Sequence, residues 1–103
     1  YEPVLFWGKL QKRLGHDIFK TNIAMQEEAA WHNCPKHLPS WIKLIDMLVD
    51  KPAKIIDPFS GSGTTAIACH KLKLEFVGYE LDSMYYNKAC KRIQGYVNQL
   101  ELW

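Results

Sequence analysis

The sequence predicts an α/β fold in which parallel strands are joined by a helix, on three observations. From Lys54 onward the chain reads as strand, glycine loop, helix, strand and helix within about fifty residues, the order of a βαβ unit. Ahead of it, Trp41, Leu44, Ile45 and Leu48 recur at the spacing of one helical face. The 103 residues are 48% apolar, far more than a disordered chain carries and enough for one core in one compact domain.

Taken in order, Pro3-Val4-Leu5-Phe6-Trp7 is a short apolar run closed by Gly8-Lys9 and reads as a buried strand. The following segment has no clean period: Ile18, Phe19, Ile23, Met25, Ala29, Ala30 and Trp31 are scattered among polar residues up to a loop-type patch, His32 to Pro39. Pro39-Ser40 supply a proline and a cap-type residue for the helix that carries Trp41 to Leu48, and Asp50-Lys51-Pro52 closes it. Lys54 to Asp57 is the next strand, Pro58 to Gly63 a loop, and Thr64 to Lys73 a helix whose Thr65, Ala66 and Ala68 are small enough to lie close on a sheet. Glu75 to Glu80 alternates as a strand, and Asp82 is placed to cap a last helix through about Leu100. Ala89, Ile93, Tyr96, Val97 and Leu100 form that helix's apolar stripe.

Thirteen basic and eleven acidic residues leave a net charge of +2, too small to mark a nucleic-acid surface by itself. Lys9, Lys12, Arg13 and Lys20 stand close together with Asp17 as their one acid, a stretch that either tracks a phosphate backbone or is a solvated loop. No apolar run approaches the roughly 20 residues of a membrane span. Cys34, Cys69 and Cys90 make neither a disulfide framework nor a paired zinc pattern, so a reducing, cytoplasmic setting is expected. His32, Cys34 and His37 lack a fourth ligand, so no metal site is assigned. Cys69 and Cys90 read as small core residues, and Trp7, Trp31, Trp41 and Trp103 as packing residues, with base stacking the alternative for Trp31 in its loop. With Tyr1 first and no signal peptide, the chain is expected to be part of something longer.

Function concentrates in Asp57-Pro58-Phe59-Ser60-Gly61-Ser62-Gly63-Thr64-Thr65 and in Glu80. A loop between a strand's C-terminal end and a helix's N-terminus gathers free N–H groups and the positive end of the helix dipole, and so suits an anion. Gly61 and Gly63 permit close backbone approach, Thr64 and Thr65 offer hydroxyl donors, and Glu80 can accept the two hydroxyls of a ribose. A nucleoside triphosphate loop would need Lys where Gly63 precedes Thr64. A dinucleotide loop fits the glycines, with Glu80 nineteen residues after Gly61, but Asp57 would repel a pyrophosphate at close range. S-adenosylmethionine matches each charge: its carboxylate meets the helix N-terminus, its ammonium Asp57 and its ribose Glu80. The bland alternative is a tight turn between strand and helix.

The Asp57 to Thr65 segment closely resembles the cofactor-binding motif I of the amino-directed DNA methyltransferases, which methylate the exocyclic nitrogen of adenine or cytosine. Phe76 to Asp82 and Tyr85 to Ile93 look like that family's next strand and helix. His32-Asn33-Cys34-Pro35-Lys36 with Leu38 and Pro39 is similar to the His-Pro-x-x-Lys-Pro segment that precedes motif I in circularly permuted members, with Asn33 and His37 where prolines are usual. Tyr1 to Trp7 resembles the strand before it. The family's catalytic Asp-Pro-Pro-Tyr-like motif has no counterpart, since the chain has no Pro-Pro pair, and in permuted members it lies upstream.

The resemblance implies a partial Rossmann-like S-adenosylmethionine-dependent methyltransferase fold, a βαβ unit plus a preceding helix and strand. Residues 1–103 would be a single C-terminal cofactor-binding portion, with the catalytic motif upstream and any target-recognition segment absent or reduced to residues 10–31. The implied cofactor residues are Asp57, Phe59, Ser60, Gly61, Gly63, Thr64, Thr65, Glu80, Asp82 and Lys36, with Phe59 against the methionine part and no catalytic residue in the chain. Helix capping is the structural alternative for Asp82, and a core plug that for Phe59. The intact parent would methylate DNA in restriction-modification or phage DNA modification. A degenerate, non-catalytic prophage remnant and a dinucleotide-dependent oxidoreductase fragment are the alternatives. DNA is the expected partner through the parent, self-association is expected of the isolated piece, and no membrane is involved.

Overall fold

The computed structural model describes residues 7–8 and 36–101, in the order α1 (Leu38–Leu48), β1 (Lys54–Asp57), α2 (Thr64–Lys71), β2 (Glu75–Gly78) and α3 (Ser83–Glu101). The expected strand at Pro3 to Phe6, the basic stretch from Lys9 to Lys20, and Trp31, His32, Cys34 and Trp103 lie outside the described residues. Trp7, expected to pack, is 98% exposed and belongs to no strand.

Strands β1 and β2 pair in parallel, Lys54 opposite Glu75 and Asp57 opposite Gly78. A parallel pair needs a crossover, and α2 is that crossover. The period of two turns Ile55 and its register partner Phe76 toward the helices, where both pack on the buried core of Ile45, Ala68, Cys69 and Leu74. Ile56, one residue on, is 64% exposed on the opposite face.

Helix α1 starts one turn earlier than a Ser40 cap would place it. His37 is the N-cap, Pro39 lies in the first turn, and the Ser40 hydroxyl is hydrogen bonded to His37 Nδ1 at 2.9 Å. Proline is tolerated there because first-turn N–H groups have no helical acceptor. From this helix Leu38, Trp41, Ile42 and Ile45 contribute to the core.

Helix α2 buries every residue from Thr64 to Cys69. A helix buried all round needs neighbours on several sides, and its small side chains let the sheet, α1 and α3 approach together. Its C-terminus is closed by Lys73 N–H donating to the His70 carbonyl at 3.2 Å and Leu74 N–H to the Cys69 carbonyl at 2.8 Å. This is a Schellman closure with Lys73 at φ +58°, where glycine is usual. Leu74 is thereby returned to the core beside Cys69.

Asp82 caps α3 as its side chain suggests: Tyr85 N–H donates to Asp82 Oδ1 at 3.0 Å. Ala89 is buried and Ile93, Tyr96 and Val97 are half-buried along the stripe. Cys90 departs from expectation. It is exposed, because one residue past Ala89 turns the helix by about 100° off the buried stripe. Among the described residues no helix is long and apolar enough to cross a membrane.

Candidate functional site

Parallel pairing brings the C-terminal ends of β1 and β2 side by side, and the chain stitches them further. Tyr79 N–H donates to the Asp57 carbonyl at 2.9 Å, and Ser60 N–H to the Tyr79 carbonyl at 2.8 Å. The loop from Pro58 to Gly63 is thus tied to the segment that carries Glu80. It turns back through Gly63 N–H to the Ser60 carbonyl at 2.9 Å, with Gly61 at φ +52° and Gly63 at φ +82°. The first backbone bond of α2 runs from Ile67 N–H to the Gly63 carbonyl, so the N–H groups of Thr64, Thr65 and Ala66 stand ahead of the helical ladder. They carry the positive end of the helix dipole.

Two carboxylates flank this end. Asp57 is half-buried and its Oδ1 accepts the Phe59 N–H at 3.0 Å. Glu80 is half-buried and its Oε2 accepts the Asp82 N–H at 3.2 Å, which orients the carboxylate. Glu80 borders a cleft of about 150 Å³ with Ser60, Phe76, Gly78, Tyr86 and Ile93. Gly78 keeps the cleft floor in place: a Cβ there would fall 2.5 Å from Phe76 Cζ and 2.9 Å from Ser60 Oγ. At this volume the cleft is smaller than the roughly 300–1,000 Å³ that ligand pockets commonly span. Behind it, burial pushes the Cys69 thiol up to about 11, with the negative charge of Asp57 adding to the rise.

The structure gathers Asp57, Ser60, Gly61, Gly63, Thr64, Thr65 and Glu80 at this one edge, yet it corrects how several act. The Thr64 and Thr65 hydroxyls do not face the ligand side. Thr64 is 2% exposed and its Oγ1 accepts from Arg92 Nη1 at 3.0 Å. Thr65 Oγ1 accepts the indole N–H of Trp41 at 2.9 Å. Their contribution to an anion site is therefore backbone N–H. Phe59 is 88% exposed and is no core plug. Asp82 Oδ1 accepts the Tyr85 N–H, so the capping role expected as its structural alternative is present. Lys36 lies 5.7 Å from the Trp41 ring centre, and is linked to the loop through that indole and Thr65.

Sequence reasoning missed Arg92 and the hydrogen-bonding role of Trp41. Arg92 reaches across from α3 to the Ser62 carbonyl and the Thr64 hydroxyl, both at 3.0 Å. Its signal was a cation three residues after Ala89 and four before Tyr96, on a stripe otherwise read as apolar.

A family model described as DNA methylase, of N6/N4 type, matches residues 7–91. The type II methyltransferase M.HindIII of Haemophilus influenzae is 36% identical over 88 residues, 84% of this chain and 28% of that protein. M.SmaI of Serratia marcescens is 50% identical over 40 residues, 39% of this chain and 14% of that protein. Among solved structures, M1.HpyAVI matches with a TM-score of 0.55 at 37% identity, over 57% of this chain and 30% of its own. The M1.HpyAVI–SAM complex matches at 0.52 and 38%, over 54% and 28%. The chain spans less than a third of the length of these relatives.

Proposed function

The chain belongs to the N6/N4-type DNA methylase family, and from that premise we propose that it binds S-adenosylmethionine across the ends of β1 and β2. The observation that carries this is the uncommitted N-terminus of α2 standing between two half-buried carboxylates, Asp57 and Glu80, on adjacent strand ends. A zwitterionic amino acid joined to a nucleoside fits that donor set. The first-turn N–H groups of α2, at Thr64 and Thr65, hold the carboxylate, and Asp57 holds the ammonium. Glu80, oriented by the Asp82 N–H, accepts the ribose hydroxyls. Ser60 and Gly61 allow close approach, and exposed Phe59 closes over the methionine part. Lys36 supports the loop from the α1 side. When bound, the cofactor supplies an electrophilic methyl group on its sulfonium.

The parent enzyme transfers that methyl to the exocyclic amino group of adenine or cytosine in DNA, in restriction-modification or phage DNA modification in the cytoplasm. Residues 1–103 are its C-terminal cofactor-binding portion in the permuted order, and the groups that hold the target base lie in the remainder of the enzyme. What supports the chain being one part of a larger methyltransferase is the identity to a type II methyltransferase over 84% of this chain but 28% of the relative, and the permuted placement rests on the motif order alone. The likeness to DNA methylases gives no weight to the oxidoreductase alternative.

Calorimetric titration of the chain with S-adenosylhomocysteine tests the site. Glu80→Ala should weaken binding at least about tenfold, through loss of its charge-assisted hydrogen bonds to the ribose, with α3 helicity unchanged by circular dichroism. Unaltered affinity would remove Glu80 from the site. Exposed Ile56, Tyr79, Leu81 and Met84 form surface that the remainder of the enzyme would cover, so the isolated chain self-associates. Sedimentation velocity at rising concentration should show growing mass, and a monomer throughout would refute it.

A further inference from the structure

Arg92 Nη1 donates to the Ser62 carbonyl at 3.0 Å and to Thr64 Oγ1 at 3.0 Å, and lies 3.4 Å from Ser62 Oγ. The Ser62 and Thr64 hydroxyls are 3.1 Å apart and hydrogen bonded, and the two residues are 4% and 2% exposed. One cation from α3 therefore grips both sides of Gly63. The Ser62–Gly63 peptide is held at both ends, its carbonyl by Arg92 and its N–H by the Ser60 carbonyl. Turning that peptide over would break both bonds and swing a carbonyl toward the edge where the N–H groups of α2 emerge. The guanidinium itself is steadied on Tyr96, 5.8 Å from the ring centre. It also places a full positive charge one hydroxyl away from the first turn of α2, adding to the dipole there.

We infer that Arg92 is a positioning residue that locks the glycine loop and raises its affinity for the carboxylate end of the cofactor, with no hold on the nucleoside end. This rests on the cofactor reading above. The two ends are chemically separable. S-adenosylhomocysteine carries both, whereas methylthioadenosine keeps the ribose and base and lacks the amino-acid carboxylate.

The 103-residue chain and its Arg92→Met, Arg92→Lys and Thr64→Val variants would be titrated with both compounds. Arg92→Met should weaken S-adenosylhomocysteine about tenfold and leave methylthioadenosine within about twofold. Arg92→Lys, which keeps the charge and loses the planar fork, should fall between Arg92→Met and the unaltered chain. Thr64→Val, which removes one acceptor of the grip, should shift the same compound in the same direction. A merely structural arginine would weaken both compounds alike, and equal losses or none would overturn the proposal. If Arg92→Met does not fold, the lysine and valine variants decide by the same comparison. An unaltered chain that binds neither compound would instead sink the cofactor reading. Arg92 is then judged by amide exchange of the free chain, where Arg92→Lys should speed Gly61 to Thr65 and leave α1 unchanged. Uniform or unaltered exchange would overturn the lock.

Discussion

Replacing Gly63 by alanine should destabilise the chain by about 2–3 kcal/mol, read as a lower midpoint in urea unfolding. Two costs combine. Gly63 sits at φ +82°, and a Cβ in the left-handed region costs roughly 1–2 kcal/mol. The added methyl would also fall 2.9 Å from Ile93 Cδ1 and 3.4 Å from Ala89 Cβ, forcing α3 or the isoleucine to give way. The two parts can be told apart. Ile93→Val removes Cδ1, the nearest atom, so in the alanine background it should recover some of the contact part, with Cγ1 at 3.2 Å remaining, and leave the backbone part. A Gly63→Ala chain as stable as the original would mean that the loop does not take this conformation, and with it would go the close seat of α3 on the start of α2.

Alkali should expose the second large effect. The Cys69 thiol is raised from 9.0 to about 11 in the folded chain, by burial first and by Asp57 second. Above pH 9 the unfolded chain gives up this proton while the folded chain keeps it. Stability is thus full below pH 9 and falls as pH rises toward 11. At about 1.4 kcal/mol per pH unit, the loss from this one group approaches about 2–3 kcal/mol. Urea midpoints of the chain and of Cys69→Ala, measured in reducing buffer at neutral pH and at rising alkaline pH, isolate it. Alkaline effects common to both proteins cancel in the difference. The alanine variant should start lower, through its small cavity, and then decline less steeply. Parallel declines would show that Cys69 is not the group responsible.

Both effects meet at α2, and they mark where local pattern stops being informative. Strand β1 occupies Lys54–Asp57 and α2 starts at Thr64 as the pattern predicts, because alternation, paired glycines and a change of period are written in neighbouring residues. The Asp82 cap was equally legible, since its bond spans three residues. Cys69 and Cys90 looked alike, and only the second is exposed. Which side of a helix is covered depends on the elements set beside it.

Local pattern therefore established the βαβ order, the glycine loop and which acids stand near it, all of which are written in neighbouring residues, whereas the pairing of Asp57 with Gly78 is what sets the two acids side by side. The direction of the threonine hydroxyls, the grip of Arg92 and the bond from Trp41 came only with folding. The partners that turn Thr65 and Thr64 inward lie 24 and 28 residues away. A hydroxyl can serve a ligand or the core with equal ease, and the choice is made when a distant donor arrives against it.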